Sequence, residues 1–232
     1  MILTHANIII CFSALLIGSM EGAKLGGSED LQDGQLVYHM ANQHAFQFDT
    51  MNQYQYADSV SVMEDLLFAA RGQLDALDCS DLEVTTESLL KYAMVGITQG
   101  CIASAMINQD LDEFSTSKTL AEAEGLALSI LPLIHNADPE LATSIERNMI
   151  RQSGEEPVPD GGQAVGKLFG QGFAKALLLH CSNLGSLPTV DPCEGVVCPE
   201  CSGPVTKAGG SAAPRRVTTA LMGGALAFLV AC

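Results

Sequence analysis

The sequence lacks tryptophan entirely, and aromatic residues make up only 5% of its 232 positions. So few aromatic rings argue against a groove that binds carbohydrate by stacking. Basic residues are also scarce, since 11 Lys and Arg face 27 Asp and Glu, for a formal net charge of −16. Such a surface repels the phosphates of nucleic acid, attracts cations and basic proteins, and makes nucleic acid an unexpected partner.

Catalytic signatures are absent as well. There is no G-x-S-x-G nucleophile elbow, and Gly161-Gly162 lacks the Lys-[ST] of a phosphate-binding loop. Glu122 and Glu124 are two positions apart, so on a helix they face different sides. No N-x-[ST] glycosylation acceptor occurs. We therefore do not expect an enzyme.

The N-terminus carries one of two long apolar runs. Ile8–Ile17 is followed by the small residues Gly18, Ser19, Gly22 and Ala23 and then by the polar stretch Gly26–Gly34. An apolar run of this length before small residues is typical of a secretory signal peptide, which we place at residues 1–23. The alternative is a buried N-terminal helix.

The C-terminus carries the other apolar run. Small residues Gly209–Ala212 precede a polar spacer, Ala213–Thr219, and an apolar tail, Ala220–Cys232. These three parts predict a glycosylphosphatidylinositol anchor signal over residues 209–232. A spanning helix needs about 20 apolar residues, and Val217–Cys232 has only 16, including two threonines and two glycines. A membrane span is therefore the less favoured alternative, and a soluble tail is another.

Removing both end segments leaves an even number of cysteines: Cys79, Cys101, Cys181, Cys193, Cys198 and Cys201. An even count in a secreted chain predicts disulfides, whose connectivity the sequence does not determine. Two alternatives involve the C-x-x-C of Cys198 and Cys201. A zinc site would need Cys181 and Cys193 as well, and thioredoxin-like chemistry would need a βαβ context that is missing.

The interior of the chain predicts an all-α fold. Apolar residues recur near the helical period, and no clean alternating run marks a strand. We predict a helical domain over residues 30–182, with a bundle of about five helices, followed by a Cys/Pro-rich stalk over residues 183–208. The predicted helices are Asp58–Leu77, residues 80–106, Thr119–His135, Glu140–Arg151 and Ala164–Cys181.

Three local signals refine these helices. Ser80 to Glu83 has the pattern of a capping box. Gly96 and Gly100 lie on one side of the long helix, where they allow a neighbour to approach closely. Asp138 before Pro139 predicts an N-cap followed by proline in the first helical turn.

The segment from Tyr38 to Asp58 concentrates hard metal ligands. Phenolate, imidazole and carboxylate together suit ferric iron, whereas zinc more often recruits thiolate or several imidazoles. The candidate ligand pool is Tyr38, His39, His44, Asp49, Tyr54, Tyr56 and Asp58. The alternative interpretation is that these tyrosines sit at the edge of the core with their hydroxyls in water.

Two stretches carry a family resemblance. Tyr92–Ser104 (YAMVGITQGCIAS) and Ala121–Leu133 (AEAEGLALSILPL) resemble the low-iron-inducible periplasmic proteins of algae, which are related to phytotransferrins. The resemblance covers residues 57–149. It implies a secreted or surface-held protein that binds ferric iron for uptake, with a synergistic carbonate as in phytotransferrins. Members often carry two copies of the domain, and this chain has room for one.

The leading hypothesis is thus a ferric-iron-binding protein in the secretory pathway, held at the cell surface or in the periplasmic space by a C-terminal lipid anchor. A single copy of the domain would bind weakly, dimerise, or act as an accessory to a surface receptor or reductase. The competing hypothesis is an anchored structural or interaction protein without ligand chemistry.

Overall fold

The computed structural model describes residues 37–109, 117–150 and 157–197. For residues 37–39, 117 and 118, only the backbone is described. The predicted signal peptide and anchor signal lie outside the described residues, as does the part of the predicted stalk beyond Val197.

The described residues form six α-helices and no strand. The helices are α1 (Val37–Gln47), α2 (Asp58–Asp75), α3 (Cys79–Asn108), α4 (Ser117–Ala137), α5 (Pro139–Met149) and α6 (Gly162–Leu177), followed by a 3₁₀ turn at Cys181–Leu184. The prediction of an all-α fold is confirmed.

Helix α3 is the central element of the bundle. Every residue from Val95 to Ala103 is buried, because α1, α2, α4 and α6 all contact this helix. A helix that is apolar all round needs neighbours on every side. By length and composition α3 also resembles a membrane span, with a mean hydropathy of 1.2, but 67% of the apolar window is buried within the domain.

Glycines on α3 set its distance from α1. A Cβ on residue 96 would lie 2.8 Å from the Cα of Ala41, and one on residue 100 would lie 2.9 Å from Nε2 of His44. Both approaches are too close for a side chain, so α1 sits directly on these two positions. The predicted close approach at Gly96 and Gly100 is confirmed.

The first part of the predicted stalk packs against the helices. Leu184 and Val190 are buried in the main core, and Cys181 is bonded to Cys193 with a Cα–Cα distance of 5.5 Å. Pro192 lies directly against Gly170 of α6. Among the described residues, the packing therefore continues beyond residue 182.

The observed helix cap agrees with the sequence prediction at α5 and differs from it at α3. The Asp138 side chain caps α5 by accepting from Leu141 N at 3.0 Å, with Pro139 in the first turn, as predicted. Helix α3 instead begins at Cys79, and its cap is Asp78, which accepts from Asp81 N at 3.2 Å. Pro132 lies inside α4, as it does within the predicted helix Thr119–His135.

Candidate functional site

Four of the seven candidate ligands, Asp49, Tyr54, Tyr56 and Asp58, belong to the short segment that joins α1 to α2, residues 49–58, which we call the tyrosine loop. Its two ends are joined, because Asp58 N donates to Thr50 O at 2.9 Å and Met51 forms an antiparallel bridge with Ala57. The sequence indicated that this segment is rich in hard metal ligands, but it did not predict helix α1, which precedes the loop.

Asn52 organises the interior of the tyrosine loop. Its side-chain oxygen accepts from the backbone N–H groups of Tyr54 and Tyr56, at 2.9 and 3.1 Å. Its amide nitrogen donates to Ser61 Oγ on α2 at 2.7 Å. An asparagine that bonds the backbone two positions on forms an Asx turn, a signal that the sequence analysis missed.

The tyrosine loop is also tied to helices α1 and α3. Ala57 N donates to the side-chain oxygen of Asn42 on α1 at 2.7 Å. Gln99 of α3 is buried, and its amide nitrogen donates to Thr50 Oγ1 and to Leu184 O, both at 2.9 Å. A single buried amide thus links α3, the tyrosine loop and the 3₁₀ turn, which fixes the loop on the core.

Two residues of the tyrosine loop adopt left-handed backbone conformations. Asp49 has φ of 54° and Gln55 has φ of 65°. Non-glycine residues adopt this region at some energetic cost, and it persists only where neighbouring contacts hold it. The hydrogen bonds of Asn52 and Thr50 supply those contacts.

The two phenols of the loop face outward. Tyr54 is 56% exposed and Tyr56 is 49% exposed. Asp49 is also exposed, and Asp58 is half-buried at the first position of α2. Burial raises the pKa of the Asp58 carboxyl. The loop therefore displays two phenols and a carboxylate on a backbone held from inside.

His44 occupies a different environment, the contact between α1 and α3. Its Nδ1 is buried without a hydrogen-bond partner, and its Nε2 lies against Gly100. Burial lowers the pKa of His44, and a contact with the Gln47 side chain opposes that shift. The imidazole is thus biased toward its neutral form, in which one ring nitrogen has a free lone pair.

Tyr38 and His39 belong to the first turn of α1, where only the backbone is described. Within residues 37–109, 117–150 and 157–197, no three His, Cys, Asp or Glu side chains come together as a metal site. Phenols are not among these four side-chain types, so the iron-ligand pool stays a prediction.

The described cysteines differ in whether they are disulfide-bonded and in whether their partner is described. Cys181 and Cys193 form a disulfide, so they do not supply the thiolates of the alternative zinc site. Cys79 is also disulfide-bonded. Cys101 is a buried free thiol whose pKa is strongly raised by burial. Disulfides are therefore confirmed, but full pairing of six cysteines is not what the structure shows.

Comparison of the chain with protein-family models, with curated proteins and with solved structures finds no match. The resemblance to the low-iron-inducible proteins thus stays a prediction from the quoted motifs.

Proposed function

We propose that this chain is a non-catalytic ferric-iron-binding protein whose binding element is the tyrosine loop. The observation that supports this most strongly is the pair of exposed phenols, Tyr54 and Tyr56, on a backbone fixed by Asn52. Phenolate and carboxylate oxygens are hard ligands, which hard cations prefer. A loop already held in place loses little conformational entropy when it binds.

Charge supports the same proposal. The net charge of −16 raises the local concentration of cations at the surface. Asp49 supplies an exposed carboxylate in the same loop as the phenols. Phenols ionise near pH 10 in water, so a bound cation must displace their protons, and binding is expected to strengthen as pH rises.

Ferric titration of the purified domain with bicarbonate tests this function. Binding through Tyr54 and Tyr56 produces a visible tyrosinate-to-iron absorption band. The double variant Tyr54→Phe/Tyr56→Phe should lose this band, because both phenolate oxygens are gone. The matched control is Tyr92→Phe, which changes a buried tyrosine of α3 and should keep the band. A wild-type protein without the band, or a double variant that retains it, would rule out this site.

A second candidate function is favoured by a separate observation, the exposure of Phe46. This side chain is 78% exposed at the end of α1, two residues before the buried Phe48 that leads into the tyrosine loop. Exposed aromatic residues are common anchors of protein interfaces. Such a surface suits a receptor or reductase partner, or an interaction protein with no ligand chemistry.

Replacing Phe46 with a photo-crosslinking residue distinguishes the two proposed functions. A discrete adduct on native membranes, formed by a protein that shows no iron band, would favour the interaction protein. An iron band in Phe46→Ser as strong as that of the wild type would show that Phe46 has no part in metal binding.

We also propose that the protein meets its ligand outside the cytoplasm, held by a lipid anchor. The Cys181–Cys193 disulfide supports the first part, because such bonds persist in oxidising compartments. A phosphatidylinositol-specific phospholipase should release the protein from membranes. Persistent membrane association after treatment would point to an uncleaved tail.

A further inference from the structure

A short segment after α6 is closed into a ring against the bundle. Cys181 and Cys193 are 12 positions apart and are joined by a disulfide. We call residues 181–193 the strap. The closing bond lies beside α6, because Sγ of Cys181 is 3.8 Å from Gly170 O.

One side of the strap lies on α6. A Cβ added at Gly166 would be 3.0 Å from Cγ2 of Val190, and Pro192 leaves no space for one at Gly170. Such close contacts are possible because glycine has no side chain. The disulfide follows directly after Pro192, so it holds this side of the strap on the helix.

The other side of the strap contacts the start of the tyrosine loop. Ser186 N donates to Phe48 O at 3.1 Å, and Gly185 packs directly against Phe48 and Thr50. The buried Gln99 amide joins Thr50 Oγ1 to a backbone carbonyl of the strap. A displacement of the strap therefore reaches both the backbone that enters the loop and one of its side chains.

We infer that the Cys181–Cys193 disulfide is a redox switch for the order of the tyrosine loop. While the bond is closed, the ring restricts the chain and keeps the strap on both α6 and the loop. When the bond is open, residues 185–193 detach more often, and the loop loses the contacts at Phe48 and Thr50.

The switch also controls cation binding, a consequence that rests on the proposed function of the loop. A cation held by Tyr54 and Tyr56 binds the opened form more weakly, because ordering the loop costs conformational entropy. By linkage, a bound cation makes the disulfide harder to reduce.

The reductant is a dithiol, such as the reduced C-x-x-C of a disulfide oxidoreductase. One thiolate attacks Sγ of Cys193, which is half-buried, and the buried Cys181 leaves as a thiolate that takes up a proton. The second thiolate then displaces Cys193 from the mixed disulfide. The protein disulfide gains two electrons and two protons, and the dithiol is oxidised to a disulfide. The same steps in reverse close the bond.

Native-state hydrogen exchange of the mature protein without added metal tests the switch. In Cys181→Ala/Cys193→Ala, which retains Cys79, the amides of Tyr54 and Tyr56 should exchange about tenfold faster than in the wild type, with residues 75–84 unchanged. Unchanged exchange in the loop would overturn the inference. Equal acceleration at residues 75–84 would also overturn it, since the bond would then stabilise the whole domain without selecting the loop.

The matched control is Glu194→Gln, next to the strap. It removes an exposed ion pair with Lys167 of α6, at 2.6 Å, and leaves the disulfide in place. Loop exchange in this variant should equal that of the wild type. Acceleration as large as in the double variant would show that the disulfide has no special role.

Dithiothreitol added to the folded wild type provides a second test that needs no variant. The peptide that ends at Glu194 after cleavage at glutamate contains both strap cysteines, so it gains two alkyl groups once the bond is open. This gain should precede unfolding, as followed by circular dichroism, and should coincide with faster loop exchange. A bond that opens only on unfolding, or opens without changing loop exchange, would overturn the switch.

Ferric titration distinguishes failure of this inference from failure of the proposed function. The tyrosinate band should require about tenfold more iron in the double variant than in the wild type. A wild type without any band would rule out the proposed function, and the exchange comparison would still decide the switch. Equal iron affinities in the two proteins would overturn control of binding by the strap.

Discussion

The two ends of the α2 and α3 pair are held in different ways. At one end is the tyrosine loop, residues 49–58. Its backbone donates to the side chains of Asn42 and of the loop's own Asn52, and its Thr50 hydroxyl accepts from Gln99. At the other end is the hairpin tip, residues 75–84, where a small cluster of Ala70, Leu82 and Leu74 lies apart from the main core. The tip also exposes Leu77 and Val84, at 56% and 63%.

This difference indicates which end of the helix pair can form a preorganised binding element. Side chains are held precisely when buried hydrogen bonds and packing fix the backbone beneath them. The tyrosine loop has both, whereas the tip has the exposed cap of Asp78, a few apolar contacts and the disulfide of Cys79. Binding chemistry is therefore expected at the loop, and local opening at the tip.

The largest expected difference between the ends comes from truncating one buried side chain at each. Phe48 is fully buried in the main core, so Phe48→Ala should cost about 3–5 kcal/mol. Leu82→Ala should cost about 2 kcal/mol, because the small cluster can collapse around the gap. Urea unfolding followed by circular dichroism measures both. Equal costs would mean that the tip is packed as firmly as the loop end.

The next test adds a methyl group at each end. Gly185 has φ of 66°, and a Cβ there would overlap Phe48 O and lie 2.5 Å from Thr50 Cγ2. Gly185→Ala should therefore destabilise the protein by about 2–3 kcal/mol. A Cβ added at Gly72 on α2 would have nothing within 4 Å of it, so Gly72→Ala should stabilise by about 0.5–1 kcal/mol. Melting temperatures shifted in the same direction would contradict the contrast.

A smaller loss is expected from removing the buried amide beneath the tyrosine loop. Gln99→Leu leaves Leu184 O and Thr50 Oγ1 without their donor and should cost about 1–3 kcal/mol. It should also speed hydrogen exchange in the loop. The control is Thr98→Val, since the Thr98 hydroxyl donates only to Met94 O within its own helix. If Thr98→Val accelerates loop exchange equally, Gln99 has no special role.

The smallest effect concerns two helix caps. Asp138→Ala should cost about 1 kcal/mol at neutral pH and more than Asp78→Ala at the tip, because Asp138 also bonds Lys175 at 2.5 Å. Hydrogen bonds from Lys175 and Leu141 N lower the pKa of Asp138. The stabilisation by Asp138 is therefore fully present above the pKa of its carboxyl in the unfolded chain. It is lost as the pH falls through the lower pKa of the folded protein. The free energies of unfolding of the wild type and of Asp138→Ala, measured at pH 7 and near pH 2, check this. A destabilisation by Asp138→Ala that is larger in acid than at pH 7 would contradict it.

The sequence predicted the packed helices better than the candidate site. Helix α5 was predictable because Asp138 and Pro139 act locally, and the glycine spacing on α3 correctly indicated a close neighbour. Helix α1 was missed although its apolar contrast equals that of α2, because its tyrosine and histidines were interpreted as metal ligands. The capping pattern at Ser80 was wrong because Asp78 provides the cap two residues earlier.

The site itself depends on long-range contacts that no local pattern contains. The tyrosines drew attention by their composition, but their exposure follows from Asn52 and from Gln99, which lies 49 positions away from Thr50. The position of His44 against α3 follows from the approach of α1 to Gly100. Such contacts arise only when the helices are assembled.

Native-state hydrogen exchange, with and without ferric citrate and bicarbonate, tests most directly that the tyrosine loop is the binding element. Citrate and bicarbonate without iron serve as the control. Iron should slow exchange at residues 49–58, including the amides of Tyr54 and Tyr56, and leave residues 75–84 unchanged. Unchanged exchange in the loop, or slower exchange confined to the tip, would contradict the proposed site.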